Sequence, residues 1–341
     1  MQKIAIAGFG FMGQMHAQVY AQLSNAELTA IVDADVEGAR ASAAKIGANA
    51  NIYATLDEAL NCHPELTAVD VCLPTPQHAA FALRAIAAGK HLFCEKPLAM
   101  SPCEADSIVE AAKKQDVALQ VGHVVRFFPE TQAFEKFLKS GRAGKLLSLN
   151  LSRRAGRPEY SKNNWLRDPA QSLGAIFDLH IHDTDLVHHL LGTPKAVTSY
   201  GTKDEGGWTH VFTHYHFDEV IVRAEGGWNY PAKWGFRAEF QAVFENGTVE
   251  YDTAATPALR VTLGNNEPEA LPVEASSAGE SKAETGNLST LAGYYDELEA
   301  FVAALERGEK PQIATGEQAA RSIRTVLAEI ESVETGRTIT L

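Results

Sequence analysis

The sequence predicts an α/β protein of two domains. Residues 1–121 read as a doubly wound domain with a parallel sheet, and residues 122–341 as an α+β domain with an open, mostly antiparallel sheet. Three observations carry this. The length, 341 residues, is about two domains' worth at roughly 150 residues each. Before Val121, continuous apolar runs alternate with Ala-rich stretches long enough for three helical turns. After Gly144, the apolar residues instead recur at every second position.

In the first half the candidate strands are Lys3–Ala7, Leu28–Val32, Ala68–Leu73, His91–Cys94 and Ala118–Val121. Continuous apolar runs of this kind are expected where helices cover both faces of a parallel sheet. Between them lie the candidate helices Gly13–Leu23, Val36–Ile46, Gln77–Ala88 and Pro102–Gln115. In the second half, Leu147, Leu149 and Leu151 alternate with polar residues, the mark of a half-buried strand over Leu146–Arg153. Further strands are predicted at Ala196–Thr202, His210–Phe217, Val220–Trp228, Arg237–Glu245, Thr248–Asp252 and Leu259–Leu263. Asn246-Gly247 between two of these supplies the positive φ of a tight hairpin. One long helix is expected over Leu173–Leu191, closed by Gly192 and Pro194, and two terminal helices over Leu291–Arg307 and Gly316–Glu334. The stretch Glu267–Gly286, rich in Ala, Ser and Glu, reads as a solvated excursion.

Composition narrows the function classes. The chain is 45% hydrophobic, enough for a packed core, so disorder of the bulk is excluded. Its net charge of −13 repels phosphate backbones, and no nucleic-acid partner is expected. No apolar stretch approaches the roughly 18–20 residues of a membrane span. The start, MQKIAIAGFGFMG, carries glycines where a signal peptide would carry leucines, so it reads as a strand entering a glycine loop. Cys62, Cys72, Cys94 and Cys103 form neither a C-x-x-C pair nor a disulfide framework. Free thiols and a cytoplasmic location are expected.

The glycine loop Gly8-Phe9-Gly10-Phe11-Met12-Gly13 follows a predicted strand and opens a predicted helix, the context of a dinucleotide-binding Rossmann turn. Gly8 permits the turn, Gly10 lets backbone approach a pyrophosphate, and Gly13 lets helix and strand pack closely. The freed N–H groups of the loop, including those of Phe11 and Met12, then face the anion. Asp33 ends the second strand twenty residues after Gly13, where a carboxylate accepts ribose hydroxyls. Asp33-Ala34-Asp35 offers two carboxylates and no neighbouring cation for a 2′-phosphate, which predicts NAD rather than NADP. At later strand ends, Leu73, Thr75, His78 and the run Cys94-Glu95-Lys96-Pro97 would line the same crevice. Pro97 fixes φ and holds Lys96 in an unusual geometry, open to a cis bond.

The long helix holds a titratable stripe. At about 100° per residue, with Asp178 as zero, His182 falls at about 40°, Asp185 at about 340° and His189 at about 20°. Asp178 and His182 are i, i+4 neighbours, and a histidine beside a carboxylate is a candidate general base. His189 is assigned to the helix C-terminus, where its positive form suits the dipole. His180 lies about 160° from His182 around the helix, so one metal ion cannot easily join the two. No metal is predicted, and His180 and His188 read as core histidines.

These motifs together resemble the glucose–fructose oxidoreductase, inositol dehydrogenase and MocA (Gfo/Idh/MocA) family. The resemblance rests on Gly8–Gly13 with His16, Glu95-Lys96-Pro97, Gly122-His123 through Arg126-Phe127, Gly174 through Leu186, and Glu245–Thr248. It covers essentially the whole chain. It implies a Rossmann domain followed by an α/β domain whose open sheet mediates oligomers, here a homo-dimer or tetramer. It also implies catalytic roles for Lys96, Asp178 and His182, and substrate contacts for His123 and Arg126. Two positions depart from the family: Ser172-Leu173-Gly174, where relatives often carry a glycine run, and His180, often glycine or a small apolar residue.

The implied activity is NAD-dependent hydride transfer to or from a secondary alcohol of a sugar, inositol or related polyol. The alternatives are an NAD-dependent glycosidase acting through transient oxidation, and a catalytically silent nucleotide sensor. Arg153–Asp168 carries four arginines and a lysine against two acids and leads towards the catalytic helix. Arg157 there suits a carboxylate or phosphate, whereas Asn164 and Trp165 suit an uncharged sugar by hydrogen bonding and stacking. Internal salt bridges or subunit contacts would account for the arginines as well. A neutral sugar or inositol is the first expectation, an acidic or phosphorylated one the second.

Overall fold

The computed structural model describes residues 1–158, 162–276 and 291–341. These form two compact units. The first holds residues 1–124 together with 291–323, and the second holds 125–158, 164–275 and 324–341. A division at 121/122 therefore describes the first crossing of the chain but not its return.

In the first unit, six strands form one sheet in the order β3-β2-β1-β4-β5-β6. They are β1 (Gln2–Ala7), β2 (Ala26–Val32), β3 (Asn51–Tyr53), β4 (Ala68–Val71), β5 (His91–Cys94) and β6 (Leu119–Val121), all paired in parallel. That order is the doubly wound dinucleotide-binding arrangement, with its crevice where β1 and β4 send their connections to opposite sides. The helices are α1 (Phe11–Tyr20), α2 (Val36–Lys45), α3 (Leu56–Cys62), α4 (His78–Ala87) and α5 (Pro102–Lys114). Local chemistry sets their starts. Asp35 caps α2 by accepting from the Gly38 N–H, Thr55 and Glu58 form a capping box on α3, and Ser101 with Pro102 opens α5. Strand β3 and helix α3 are absent from the sequence reading. Asn51-Ile52-Tyr53 is three residues long and bears no periodic signature, so only its pairing with β2 makes it a strand.

The second unit contains a nine-stranded mixed sheet in the order β14-β13-β12-β11-β7-β10-β9-β8-β15. Its central strand β7 (Leu146–Gly156) pairs in parallel with β10 (Ile221–Tyr230) and antiparallel with β11 (Arg237–Phe244). The others are β8 (Ala196–Asp204), β9 (Gly207–His216), β12 (Gly247–Asp252), β13 (Leu259–Leu263) and β14 (Glu269–Ala270). Helix α6 (Pro129–Ser140) was not anticipated, although proline at its first turn and Gly141 in the left-handed region beyond it are standard end signals. Phe134 and Phe137 of α6 pack on Phe240 and Phe244 of β11. A short α7 (Pro169–Ser172) precedes α8 (Ile181–Leu191). The opposite face of the sheet is open, and Tyr200, Phe212 and Ile221 stand exposed on it.

The terminal helices are α9 (Ala292–Glu306) and α10 (Gly316–Thr335), and β15 (Ile339–Thr340) closes the sheet edge. Helix α9 packs in the first unit against α1, with Phe301 on Phe93. Within α10 the chain passes from the first unit to the second. Half of the predicted excursion Glu267–Gly286 lies outside the described residues, and the described half includes β14, paired antiparallel with β13.

Candidate functional site

The glycine loop has the geometry its residues require. Gly8 sits at φ +93° with its N–H donated to the Val32 carbonyl, and a Cβ there would lie 2.7 Å from the Cys72 carbonyl oxygen. A Cβ at Gly13 would fall 2.0 Å from the Gly8 carbonyl oxygen, so the start of α1 seats directly on the loop. Gly10 differs: nothing lies within 4 Å of its missing side chain. It is also the N-cap of α1 and makes no side-chain cap bond. The loop thus offers open room over a helix N-terminus, as a dinucleotide pyrophosphate needs. Asp33 is held beside it, one carboxylate oxygen accepting from the Phe9 N–H at 2.9 Å and the other from the Asp35 N–H at 2.9 Å. These residues fit NAD.

The later strand ends carry a staple and a buried cluster. His78 places Nε2 2.7 Å from the Leu73 carbonyl and Nδ1 2.8 Å from the Pro97 carbonyl, tying the end of β4 to the turn after β5. Burial pulls the ring's pKa down despite both carbonyls. Neutral, it donates from one nitrogen only. Its place is that of a structural staple beside the crevice. The Lys96–Pro97 peptide is cis. Thr75 is buried, and Leu73 and Lys96 are partly exposed. Glu95 turns inward: Oε2 accepts from the Lys96 N–H at 3.1 Å and Oε1 lies 3.2 Å from Nε2 of His16.

His16 Nδ1 in turn lies 2.8 Å from Asp70, which also accepts from the Tyr20 hydroxyl at 3.0 Å. Burial alone would lower the His16 pKa, but Cys72 and Asp70 outweigh it and raise it well above the usual value. Glu297 of α9 completes the cluster, fully buried, its carboxyl raised by burial and by the charges of Glu95 and Asp70. Both groups bind protons more tightly folded than unfolded. Their stabilisation is complete below their unfolded values, near 4.5 for Glu297 and 6.5 for His16, and is lost as pH rises towards the folded values. Glu297→Gln removes one of the two. Thermal unfolding between about pH 5 and about pH 9 should show the variant losing less stability than the parent as pH rises. Parallel curves would sink this.

In the second unit, the helix expected over Leu173–Leu191 begins later and differently. Leu173 is in the left-handed region and Gly174 follows at φ +87°. A Cβ on Gly174 would lie 2.3 Å from the Trp208 carbonyl oxygen, so glycine is needed where the chain meets β9. Residues Ile176–His180 then form a π turn, and α8 starts at Ile181. Constant spacing of 100° therefore fails over the first turn, and π turns of this kind are frequent at functional sites. The stripe also divides by burial. Asp178 and His182 are half-buried, whereas Asp185 is buried and takes a bidentate pair from Arg126, 2.7 Å at each bond. His189 lies 3.2 Å from Glu135, but burial and Arg126 lower its pKa, so it is not the helix-end cation expected from the sequence. His188 bonds Thr325 at 2.8 Å and His180 is enclosed, as core histidines.

The described arginines of the basic segment are engaged within the second unit. Arg153 makes two bonds to Asp183, at 2.9 and 3.1 Å, both side chains buried. Arg154 pairs with Glu239, Arg157 with Asp204, and Arg167 donates to the Pro158 carbonyl at 3.2 Å. Arg126 is buried on Asp185. The guanidiniums of Arg126 and Arg157, expected at the substrate, are thus engaged by carboxylates of the protein. Asn164 is exposed at φ +53°, and Trp165 packs with Leu179 on a cluster of Ala155, Leu166, Ala175 and Trp228. Trp165 and the π turn therefore share one apolar floor. His123 is buried in the first unit, its N–H donated to the Val121 carbonyl at 2.7 Å.

A doubly wound unit with an open glycine loop, and an α+β unit with a half-buried acid on a π turn and a half-buried histidine at the start of the next helix, define a class: a two-unit protein with a dinucleotide-binding fold. Comparison with known proteins places it within that class. Residues 2–123 match the oxidoreductase family with an NAD-binding Rossmann fold, and residues 131–250 match the GFO/IDH/MocA C-terminal domain. The chain belongs to the Gfo/Idh/MocA family. It is 30% identical over 257 residues to an inositol 2-dehydrogenase of Leifsonia xyli subsp. xyli, covering 72% of this chain and 71% of that protein. It is 30% identical over 202 residues, 59% of this chain, to a 2,7-anhydro-N-acetylneuraminate hydratase of Escherichia coli. That match and others like it span 53–58% of the relative's own length. Levoglucosan dehydrogenase in complex with NADH and levoglucosan superposes with a TM-score of 0.86 at 21% identity, over 99% of each chain, a likeness of fold. No helix among the described residues is long and apolar enough to cross a membrane.

Proposed function

We propose that this chain catalyses the reversible NAD-dependent oxidation of a secondary alcohol on a neutral sugar or cyclitol. The carrying observation is a half-buried acid and histidine four residues apart, Asp178 on the π turn and His182 at the start of α8, in a unit whose neighbouring described arginines are engaged by the protein. NAD, when bound by the Gly8–Gly13 loop and Asp33, supplies the hydride acceptor. His182 takes the hydroxyl proton, and Asp178 orients the reacting oxygen and the imidazole. Lys96 donates a hydrogen bond to that oxygen and stabilises its developing charge. Trp165 and Asn164 serve the sugar's apolar face and hydroxyls.

Neutrality of the substrate has its own test. Raising ionic strength from about 0.1 M to about 1 M shortens the Debye length from about 10 to about 3 Å. KM should stay flat over that range, and a steep rise would establish a charged substrate.

Absorbance at 340 nm across a panel of polyols, sugars and inositols, with NAD and NADP in parallel, tests the reaction itself. Reduction of NAD by a neutral polyol supports it, and silence across the panel returns the nucleotide-sensor reading. The relationship to a hydratase keeps one further reading in view, transient oxidation without net turnover of cofactor. Release of a free sugar or aglycone without accumulating NADH would establish that chemistry. The exposed Tyr200, Phe212 and Ile221 on the open sheet support self-association through that face. Sedimentation should give a dimer or tetramer for the parent and a smaller species for Phe212→Glu. A monomeric parent would remove the proposal.

A further inference from the structure

Between Asp178 and His182 stands a titratable residue that the proposed reaction does not use. His180 is completely buried, and so is Glu329 of α10. Nε2 of His180 lies 3.3 Å from Oε2 of Glu329, 3.2 Å from Oγ1 of Thr213 and 3.4 Å from the Tyr215 hydroxyl. The other oxygen of Glu329 accepts from the Thr184 hydroxyl at 3.0 Å, and that hydroxyl is 3.0 Å from the Tyr215 hydroxyl. A closed ring results, joining the π turn, α8, α10 and β9. Strand β10 makes room for it, because a Cβ on Gly226 would come within 2.6 Å of Nδ1 of His180.

We propose that His180 and Glu329 are positioning residues, which bolt the π turn bearing Asp178 to the start of the α-helix bearing His182. The inference rests on the reading of the reaction given above. A buried carboxylate needs partners: one oxygen of Glu329 is hydrogen-bonded by Thr184, and the other has the His180 ring at ion-pair distance. Burial and Glu329 keep the Tyr215 phenol protonated, able to donate within the ring. A π turn is a rare departure from the α-helix, and an uncommon backbone arrangement keeps its shape when surrounding contacts over-determine it. His180 is the last residue of that turn, two from Asp178 and two from His182.

The test uses the full-length chain with the best substrate of the polyol panel. Glu329→Gln should lower kcat about 10- to 100-fold, the scale of a small misplacement of reacting groups, with KM and NADH affinity unchanged. Thr325→Val is the control. It removes the His188–Thr325 bond, which joins the same two helices further from the turn, and should lower the melting temperature without lowering kcat. Should Glu329→Gln fail to fold, Thr184→Val takes one hydroxyl from the ring at nearly constant volume and should show the same split in kcat. Parental kcat in a folded ring variant, or an equal loss in the control, overturns the proposal. His182→Ala separates the two levels. If it is inactive while Glu329→Gln is normal, only this inference falls; if it retains turnover, the reading of the site falls with it.

Discussion

Replacing His182 with alanine is expected to lower turnover by about two to four orders of magnitude, the usual worth of positioned general acid–base catalysis. NADH affinity, measured by quenching of protein fluorescence, should not change, because the glycine loop and Asp33 belong to the other unit. The residue is half-buried where its helical neighbours Ile181, Asp183, Thr184 and Asp185 are all buried. Substitution therefore removes a partly exposed side chain and leaves the buried neighbours along α8 in place. The other three histidines of this segment, His180, His188 and His189, have partners inside the unit. Near-parental turnover in His182→Ala would remove it from the role of base.

The second large effect separates two glycines three residues apart. A Cβ on Gly13 would sit 2.0 Å from a backbone oxygen, closer than any real contact, so Gly13→Ala must displace either α1 or the loop. Both NADH binding and thermal stability should fall together. A Cβ on Gly10 meets nothing, and its φ of −75° is open to any residue. Gly10→Ala should leave the melting temperature unchanged while weakening NADH. Overfilling a closely packed contact costs about 1–3 kcal/mol, or roughly 5- to 150-fold in Kd. Equal NADH affinity in Gly10→Ala and the parent would show that the pyrophosphate does not approach the loop at that residue.

Much of this protein is legible in one chain because the signals are local. The loop Gly8–Gly13, the strand before it and Asp33 after it lie within thirty-two residues, and their chemistry follows from turn geometry and helix ends. The alternation of β7 likewise announces a half-buried strand; its neighbour's hairpin also forms where expected, but around Glu245-Asn246 and without the positive φ predicted from Asn246-Gly247. The π turn had no such signal. Its sequence, Ile176–His180, suits an ordinary helix equally well, and the wider winding arises from packing on β7, β9 and β10. Within α8 the spacing is regular and Asp185 does lie one turn from His182, but its burial on Arg126, 59 residues earlier, is set by the fold.

What the sequence by itself determined was the order of elements, the doubly wound class of the first unit, the nucleotide loop and the identity of the candidate acid, histidine and lysine. Periodicity and turn chemistry act over a few residues, and those features need nothing more. Only the tertiary structure decided which charges are already paired and which helix serves which unit. Arg126 with Asp185 and Arg153 with Asp183 join residues 59 and 30 positions apart, and Glu297 reaches the His16 cluster from the far end of the chain. A guanidinium written in sequence looks the same whether it awaits a substrate or closes a buried bidentate pair. The difference lies in a carboxylate brought to it by the fold, and in the cost of burying either charge alone.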